Sequence, residues 1–292
     1  MQIKYQASEL ILNKDGSVFH LHLLPQDIAD TIILVGDQGR VDVVASFFDK
    51  IELKKQNREF CTQTGYYNNK RISVISTGIG TDNIDIVVNE LDALANIDLN
   101  TRTDKKEHKT LNFIRIGTSG SLQKNIPVDS ILMSKKAIGF DGLLNFYSNR
   151  DKVCDLEFET ALKKHLDWNK NLASPYTVDA SEKLIKLLEG ENIQKGVTIS
   201  APGFYGPQGR QLRIPSIDLD INDKIENFEF EGQKITNYEM ESSAIFGLSK
   251  HLGHNAVTLC AIIASRTSKE YSKDYKPIIK NLIKIVLDKI TN

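Results

Sequence analysis

Leu111-Asn112-Phe113-Ile114-Arg115-Ile116 runs without a break into Gly117-Thr118-Ser119-Gly120. A short apolar run that meets glycine reads as a buried strand. The glycines after it predict a tight turn whose backbone N–H groups can hold an anion, with Arg115 beside them. A second segment has the same construction: Thr31-Ile32-Ile33-Leu34-Val35 leads into Gly36-Asp37-Gln38-Gly39-Arg40. In an open α/β sheet the carboxyl ends of the strands line one crevice, so the two Gly-Arg sites can converge there although about 80 residues separate them. Arginine suits such a place because its planar fork grips two phosphate oxygens. Taken singly, Arg40 can equally start a surface helix and Arg115 can be a structural ion-pair partner.

Outward from these segments, strand and helix patterns alternate. The spacing predicts a helix over 41–48, then strands over 59–67 and 71–76 flanking Asn68-Asn69-Lys70 as a hairpin. Residues 82–95 gather Ile84, Val87, Val88, Leu91, Leu94 and Ala95 on one helical face, and the last stretch does the same with Ile279, Leu282, Ile283, Val286 and Ile290. Further strands are expected at 130–134, 196–200 and 256–264, and further helices at 158–166, 181–188 and 240–252. This rhythm predicts a three-layer α/β/α fold. The hairpin within it predicts a mixed central β-sheet. No linker or repeat interrupts residues 1–292, which read as a single domain carrying a polar, charge-dense surface loop at about 100–110.

Composition narrows the function. Lysine and arginine total 37 against 38 aspartates and glutamates, so no positive field draws in nucleic acid or an anionic membrane surface. No apolar run reaches the roughly 18 residues of a membrane span. Residues 1–15 lack the basic and apolar regions of a secretory signal. The three cysteines, Cys61, Cys154 and Cys260, form no C-x-x-C pair, which counts against a disulfide framework or a zinc site and favours a reducing cytoplasm.

The second informative segment is Asn237-Tyr238-Glu239-Met240-Glu241-Ser242, read as opening a helix. Carboxylates there can accept hydrogen bonds from sugar hydroxyls but cannot hold phosphate. Thr236 or Asn237 can cap this helix and Glu239 can complete a capping box. Glu241 is then the better functional candidate, since at about 100° per residue the two carboxylates point roughly 200° apart. Two tempting motifs fail. In Gly78-Ile79-Gly80-Thr81-Asp82-Asn83 the third glycine of a dinucleotide fingerprint is Asn83, and Gly117-Thr118-Ser119-Gly120 is not a G-x-S-x-G elbow. His20-x-His22 offers a metal pair with no evident third ligand, and His251 and His254 beside Gly253 suit a helix end, so no metal is expected.

Taken together, the segments resemble the nucleoside phosphorylase-I family, and within it the uridine phosphorylases. The likeness covers most of the chain. It includes Val18-Phe19-His20-Leu21, Val35-Gly36-Asp37-Gln38-Gly39-Arg40-Val41, Arg58-Glu59-Phe60, Ser76-Thr77-Gly78-Ile79-Gly80 and Arg115-Ile116-Gly117-Thr118-Ser119-Gly120. Phe204-Tyr205-Gly206-Pro207-Gln208-Gly209-Arg210, Tyr238-Glu239-Met240-Glu241-Ser242 and Ser265-Arg266-Thr267 complete it. The resemblance implies that Gly36, Arg40, Arg115 and Thr118 bind phosphate, with Arg58 supplied across a dimer interface. It implies Met240 and Glu241 at the ribose, and His20 at the 5′-hydroxyl in the neighbouring subunit's site. Gln208 and Arg210 match the pair that reads the uracil edge, with Phe204 against the base and Arg266 nearby. Purine phosphorylases of the hexameric branch carry an Asp near the position of Ser265, so the resemblance favours uridine over purine nucleosides.

The reaction so implied is reversible phosphorolysis of uridine to uracil and ribose 1-phosphate in pyrimidine nucleoside salvage, a pentosyl transfer with Arg115, Arg40, Gln208 and Arg210 as its catalytic groups. Phosphate is a co-substrate and no cofactor is expected. Some family dimers hold potassium through residues matching Glu59, Ile79 and position 83; Asn83 replaces the serine there, which counts against potassium. The implied assembly is a homo-oligomer, at least a dimer, with a hexamer built as a trimer of dimers as the larger alternative. Gly206-Pro207 reverses the order common in the family. A broader nucleoside phosphorylase, a hydrolytic nucleosidase on the same fold and a non-catalytic nucleoside sensor are the alternatives.

Overall fold

The computed structural model describes residues 4–292, so part of the stretch examined for a secretory signal, residues 1–3, lies outside the described residues. From the amino end come β1 (Thr31–Val35), α1 (Gln38–Ala45), β2 (Lys50–Asn57), β3 (Phe60–Tyr67), β4 (Lys70–Ser76) and α2 (Thr81–Asn96). The short strands β5 (Ile97–Asp98) and β6 (Thr103–Asp104) lead to β7 (Asn112–Ser121), β8 (Ile131–Gly139), α3 (Leu156–Leu166), β9 (Tyr176–Asp179) and α4 (Glu182–Leu188). Then follow β10 (Ile193–Ser200), α5 (Ile221–Asn227), β11 (Glu229–Phe230), β12 (Gln233–Glu239), α6 (Ser242–His251), β13 (Asn255–Ser265) and α7 (Lys276–Thr291).

The main sheet has the order β11-β12-β10-β8-β13-β7-β1-β4-β3-β2, with β9 on β8, while β5 and β6 pair apart from the others as a two-stranded sheet. The main sheet is mixed: β1 runs parallel to β4 and β7, whereas β8 opposes β13 and the β2-β3-β4 meander is antiparallel. Strand β1 is buried at every position, because helices cover both faces and leave no polar side to alternate with. The stripes predicted on 82–95 and 279–290 are the buried faces of α2 and α7.

Strand β12 pairs with β10 on one side and, antiparallel, with β7 on the other through Asn237 opposite Ser121 and Tyr238 opposite Gly120. That second pairing curls β12, β10, β8, β13 and β7 into a ring. Bulges supply the bend: the register slips in β13 between Ile262 and Ala264 and in β10 beside Gly196. Glycine is required at that slip, since a Cβ on Gly196 would stand 2.2 Å from the Thr236 hydroxyl.

Several elements depart from the sequence expectations. Helix α1 begins three residues earlier than predicted, because Asp37 caps it. Strand β2, absent from the expected elements, lies at the sheet edge with most of its charged residues in solvent, which removes the apolar alternation. The loop at 100–110 is exposed, as its composition implies, but it is tied down: Lys105 Nζ donates to the carbonyls of Leu94 and Ala95 at the end of α2, and Arg102 donates to the carbonyl of Leu10. The larger correction concerns Gly117-Thr118-Ser119-Gly120. These residues are not a turn; they continue β7, with Gly117 opposite Cys260, Thr118 opposite Ala261 and Ser119 opposite Ile262. A long neighbouring strand offers them a ladder, which outweighs the turn preference of glycine.

Candidate active site

A cleft of about 690 Å³ opens at the carboxyl ends of β1, β7, β12 and β13. Strand β1 stops pairing with β7 at Arg115, and β12 starts pairing with it at Gly120, so the β7 edge between them borders the cleft. At the end of β1, Asp37 Oδ1 accepts the backbone N–H of Arg40 at 2.9 Å and Oδ2 lies 3.1 Å from its guanidinium. Arg40 Nη1 donates to the Ile116 carbonyl at 3.4 Å. Burial holds the Arg40 guanidinium below its ordinary pKa, partly offset by Asp37, with nearby Arg115 adding to the depression. Two desolvated guanidiniums therefore face one cleft, an arrangement that gains from a bound anion.

Arg115 sits in β7, buried between carboxylates. Its Nη2 donates to Glu241, its Nη1 stands 3.6 Å from Glu239 Oε2, and the Cys260 sulfur is 3.8 Å away. Burial opposes the charge, but Glu241 and Glu239 outweigh it and hold the Arg115 pKa above its ordinary value. Its place depends on Gly117, because a Cβ there would fall 1.8 Å from Arg115 Nη1. Gly117→Ala is therefore expected to push the guanidinium aside and lower turnover by about 10², the scale of a 1 Å misplacement. Steady-state kinetics check this, and wild-type activity in that variant would show that the position of Arg115 is not critical.

The carboxylates enter differently from the sequence expectation. Thr236 and Asn237 belong to β12, Glu239 ends that strand, and α6 starts only at Ser242. Glu239 nonetheless caps the helix from outside, accepting the backbone N–H groups of Glu241 and Ser242 at 3.0 Å as well as the Ser200 hydroxyl. Since neither residue lies within α6, the helical angle between them does not apply, and both reach Arg115. Glu241 Oε1 accepts the Gly80 N–H at 2.9 Å while Oε2 faces Arg115. Each oxygen keeps a further lone pair for a hydroxyl.

In the same cleft, Gln208 Oε1 accepts from Arg210 Nη1 at 2.6 Å and from Arg266 Nη2 at 3.4 Å, and the Arg210 guanidinium stacks 3.6 Å from the Phe204 ring centroid. With its oxygen occupied, Gln208 has its amide N–H groups to offer. Burial, reinforced by the charge of Arg266, holds Arg210 down at about 10. Neither arginine is paired with a carboxylate among the described residues, so this wall is rich in donors. Gly36, Thr118, Met240 and Ser265 also line the cleft. Tyr238, which sequence reasoning did not single out, lines it too and donates to Asn222 at 3.1 Å. Its place inside the Tyr-Glu-Met-Glu segment was the available signal.

Two predicted site residues lie outside this cleft. His20 and Arg58 sit together elsewhere: Arg58 lies 5.5 Å from the Phe19 ring centroid, and Asn57 Nδ2 donates to the His20 carbonyl at 2.7 Å. Arg58 tips the β2–β3 hairpin at φ 53°, a left-handed backbone uncommon outside glycine. The His20-x-His22 pair is split, His20 facing Glu90 and His22 facing Asp15.

Asp92, His108 and His254 bring potential metal donors within 4.8 Å of one another. The Leu111 N–H donates to His254 Nδ1 at 3.1 Å, which leaves the ring proton on Nε2, where it meets Asp92 at 3.0 Å. The remaining imidazole, His108, meets the Leu252 carbonyl through Nε2 at 2.9 Å, so the trio is built as a hydrogen-bond network. A second cleft, about 750 Å³, is lined in part by Lys136, Asp179 and Ser249. Lys136 there is already paired with Asp155 and Asp179 at 2.6 and 2.9 Å.

A curled mixed sheet with an arginine-carboxylate cleft at its strand ends defines a class, and comparison gives that class a name. The chain belongs to the phosphorylase superfamily, whose sequence model matches residues 30–290. It is 28% identical to a uridine phosphorylase of Thermococcus kodakarensis, covering 92% of this chain and 85% of that protein. It is 29% identical to the uridine phosphorylase of Escherichia coli, covering 94% and 96%. Among solved structures, a Trypanosoma brucei nucleoside phosphorylase described as showing uridine phosphorylase activity superposes with a TM-score of 0.87 at 30% identity, over 96% of this chain and 98% of that one.

Proposed function

We propose that the protein is a pentosyltransferase that cleaves uridine with phosphate, giving uracil and ribose 1-phosphate in pyrimidine nucleoside salvage. The observation that carries this reading is that Arg40, Arg115 and Glu241 line the same cleft as Gln208, Arg210 and Arg266. The uridine phosphorylases among its relatives support it. Phosphate lies between Arg40 and Arg115, next to Gly36 and Thr118, and Arg58 of a second subunit completes its shell. Glu241 accepts the ribose hydroxyls, Met240 packs on the sugar, and His20 of the second subunit meets the 5′-hydroxyl. The base lies against Phe204.

In the reaction the bond from C1′ to the base nitrogen breaks with its electron pair moving onto uracil, and a phosphate oxygen bonds to C1′ from the opposite face. The ribosyl ring carries positive charge as this happens, as in other oxocarbenium-like transfers. Arg40 and Arg115 fix the attacking oxyanion in place beforehand, and Gln208, Arg210 and Arg266 present N–H groups where negative charge develops on O2 and O4. Uracil then takes a proton from solvent. Ser265, in place of an acid, cannot protonate a purine ring, since its hydroxyl is too weak an acid.

Potassium is left out of the proposal because Asn83 replaces the serine found at that position in the family, with its side-chain amide beside Gly78. The reaction is therefore proposed without a metal or cofactor. A reducing cytoplasm is part of the proposal, supported by three free cysteines, and no helix among the described residues is long and apolar enough to cross a membrane.

The test is a panel of uridine, deoxyuridine, thymidine, cytidine, inosine and adenosine, each with and without phosphate. Base release from uridine that requires phosphate is expected, with little from the purine nucleosides. Equal release in phosphate-free buffer would mark a hydrolase instead, and uridine binding with no release would mark a sensor.

A further inference from the structure

Glu90 lies on α2, beside the apolar stripe that packs on the sheet. Its carboxylate collects three N–H groups from one short turn. The backbone N–H of His20 reaches its two oxygens at 2.9 and 3.1 Å, that of Leu21 reaches Oε2 at 2.8 Å, and His20 Nδ1 lies 2.6 Å from Oε1. On its other side the turn is held by Asn57 Nδ2, which donates to the His20 carbonyl, and the imidazole meets the Phe19 ring edge-on at 4.9 Å between centroids. The Glu90 side chain is 14% exposed and that of His20 29%, so the carboxylate sits behind the ring and the ring faces outward.

A carboxylate in this setting only accepts, so the proton between it and the ring belongs to Nδ1. Nε2 is then the ring nitrogen left for a ligand. We propose that Glu90 is a positioning residue for His20, fixing its Nδ1–H tautomer and its ring direction so that Nε2 meets the 5′-hydroxyl of a nucleoside bound by the neighbouring subunit. This rests on the reading of His20 given under the proposed function. The geometry is the usual one for a working histidine, in which the hydrogen bond made by one nitrogen decides what the other can do. A glutamate that merely braced the turn would need only the two backbone N–H groups; the short contact to Nδ1 is the additional feature.

Uridine and 5′-deoxyuridine differ only in the hydroxyl concerned, so the ratio of their kcat/KM values isolates this contact. The wild-type enzyme is expected to prefer uridine by about tenfold, the worth of one hydrogen bond, and His20→Ala to abolish the preference. Glu90→Gln is expected to remove most of that preference while leaving kcat/KM for 5′-deoxyuridine unchanged, and to add little in a His20→Ala background. Loss on both substrates alike, or an intact preference, would reduce Glu90 to a brace and overturn the proposal. If His20→Ala itself leaves the preference intact, the reading of His20 fails and the proposal falls with it. Should Glu90→Gln not fold, a long-range proton–nitrogen correlation spectrum of the wild-type protein reads the neutral His20 ring directly. An Nδ1–H ring supports the proposal and an Nε2–H ring overturns it.

Discussion

Arg115→Ala is expected to lower kcat/KM for phosphate by about 10² or more, the cost of removing one preorganised charge from where an oxyanion binds. Two things are lost at once. The nucleophile loses one side of its clamp, and Glu239 and Glu241 lose the cation that balances them. Removing one partner of a buried ion pair costs about 3–5 kcal/mol of stability, so a lowered unfolding temperature should accompany the kinetic loss. Kinetics well below that temperature separate the two. A folded variant with near-normal phosphate dependence would mean that Arg115 serves the fold alone, as a partner for its carboxylates.

Glu241→Gln should cost about 10² or more in kcat/KM for uridine, because hydrogen bonds to a charged acceptor contribute about 1.5–3 kcal/mol each and a ribose offers two vicinal hydroxyls. The amide keeps the shape and one acceptor oxygen but loses the charge that faces Arg115. The loss should be smaller for 2′-deoxyuridine, which brings one hydroxyl fewer to the same carboxylate. Comparing the two substrates in wild type and variant decides the matter. Equal losses on both would take the 2′-hydroxyl away from Glu241 and leave it the 3′-hydroxyl and the orientation of Arg115.

Both predictions converge on the part of the site that was only half legible. The segment around Arg115 announced a charged group beside backbone at a strand end, and the segment around Glu241 announced an acceptor, but their contact across 126 residues of chain is a product of the sheet closing on itself. Glu239 illustrates the same limit. Its spacing suggested a cap within a helix, and it does cap α6, yet it does so from the last position of β12. The turn read at Gly117-Thr118-Ser119-Gly120 failed for a related reason: local preference favoured a turn, and β13 supplied a ladder instead. Glycine at position 117 is explained by the guanidinium beside it, with no need for a turn.

What the amino-acid sequence determined by itself was the α/β class, the buried strand β1 and the apolar faces of α2 and α7, since burial on one face or both leaves its period in the residue order. It also carried the residue types of the cleft. Only the tertiary structure decided which of them meet: Arg40 and Arg115 joined by the parallel pairing of β1 and β7, Glu239 and Glu241 by the return of β12, and His20 and Arg58 left together on another surface. Such meetings depend on register and on bulges, which arise from contacts between distant segments and leave no periodic trace along the chain.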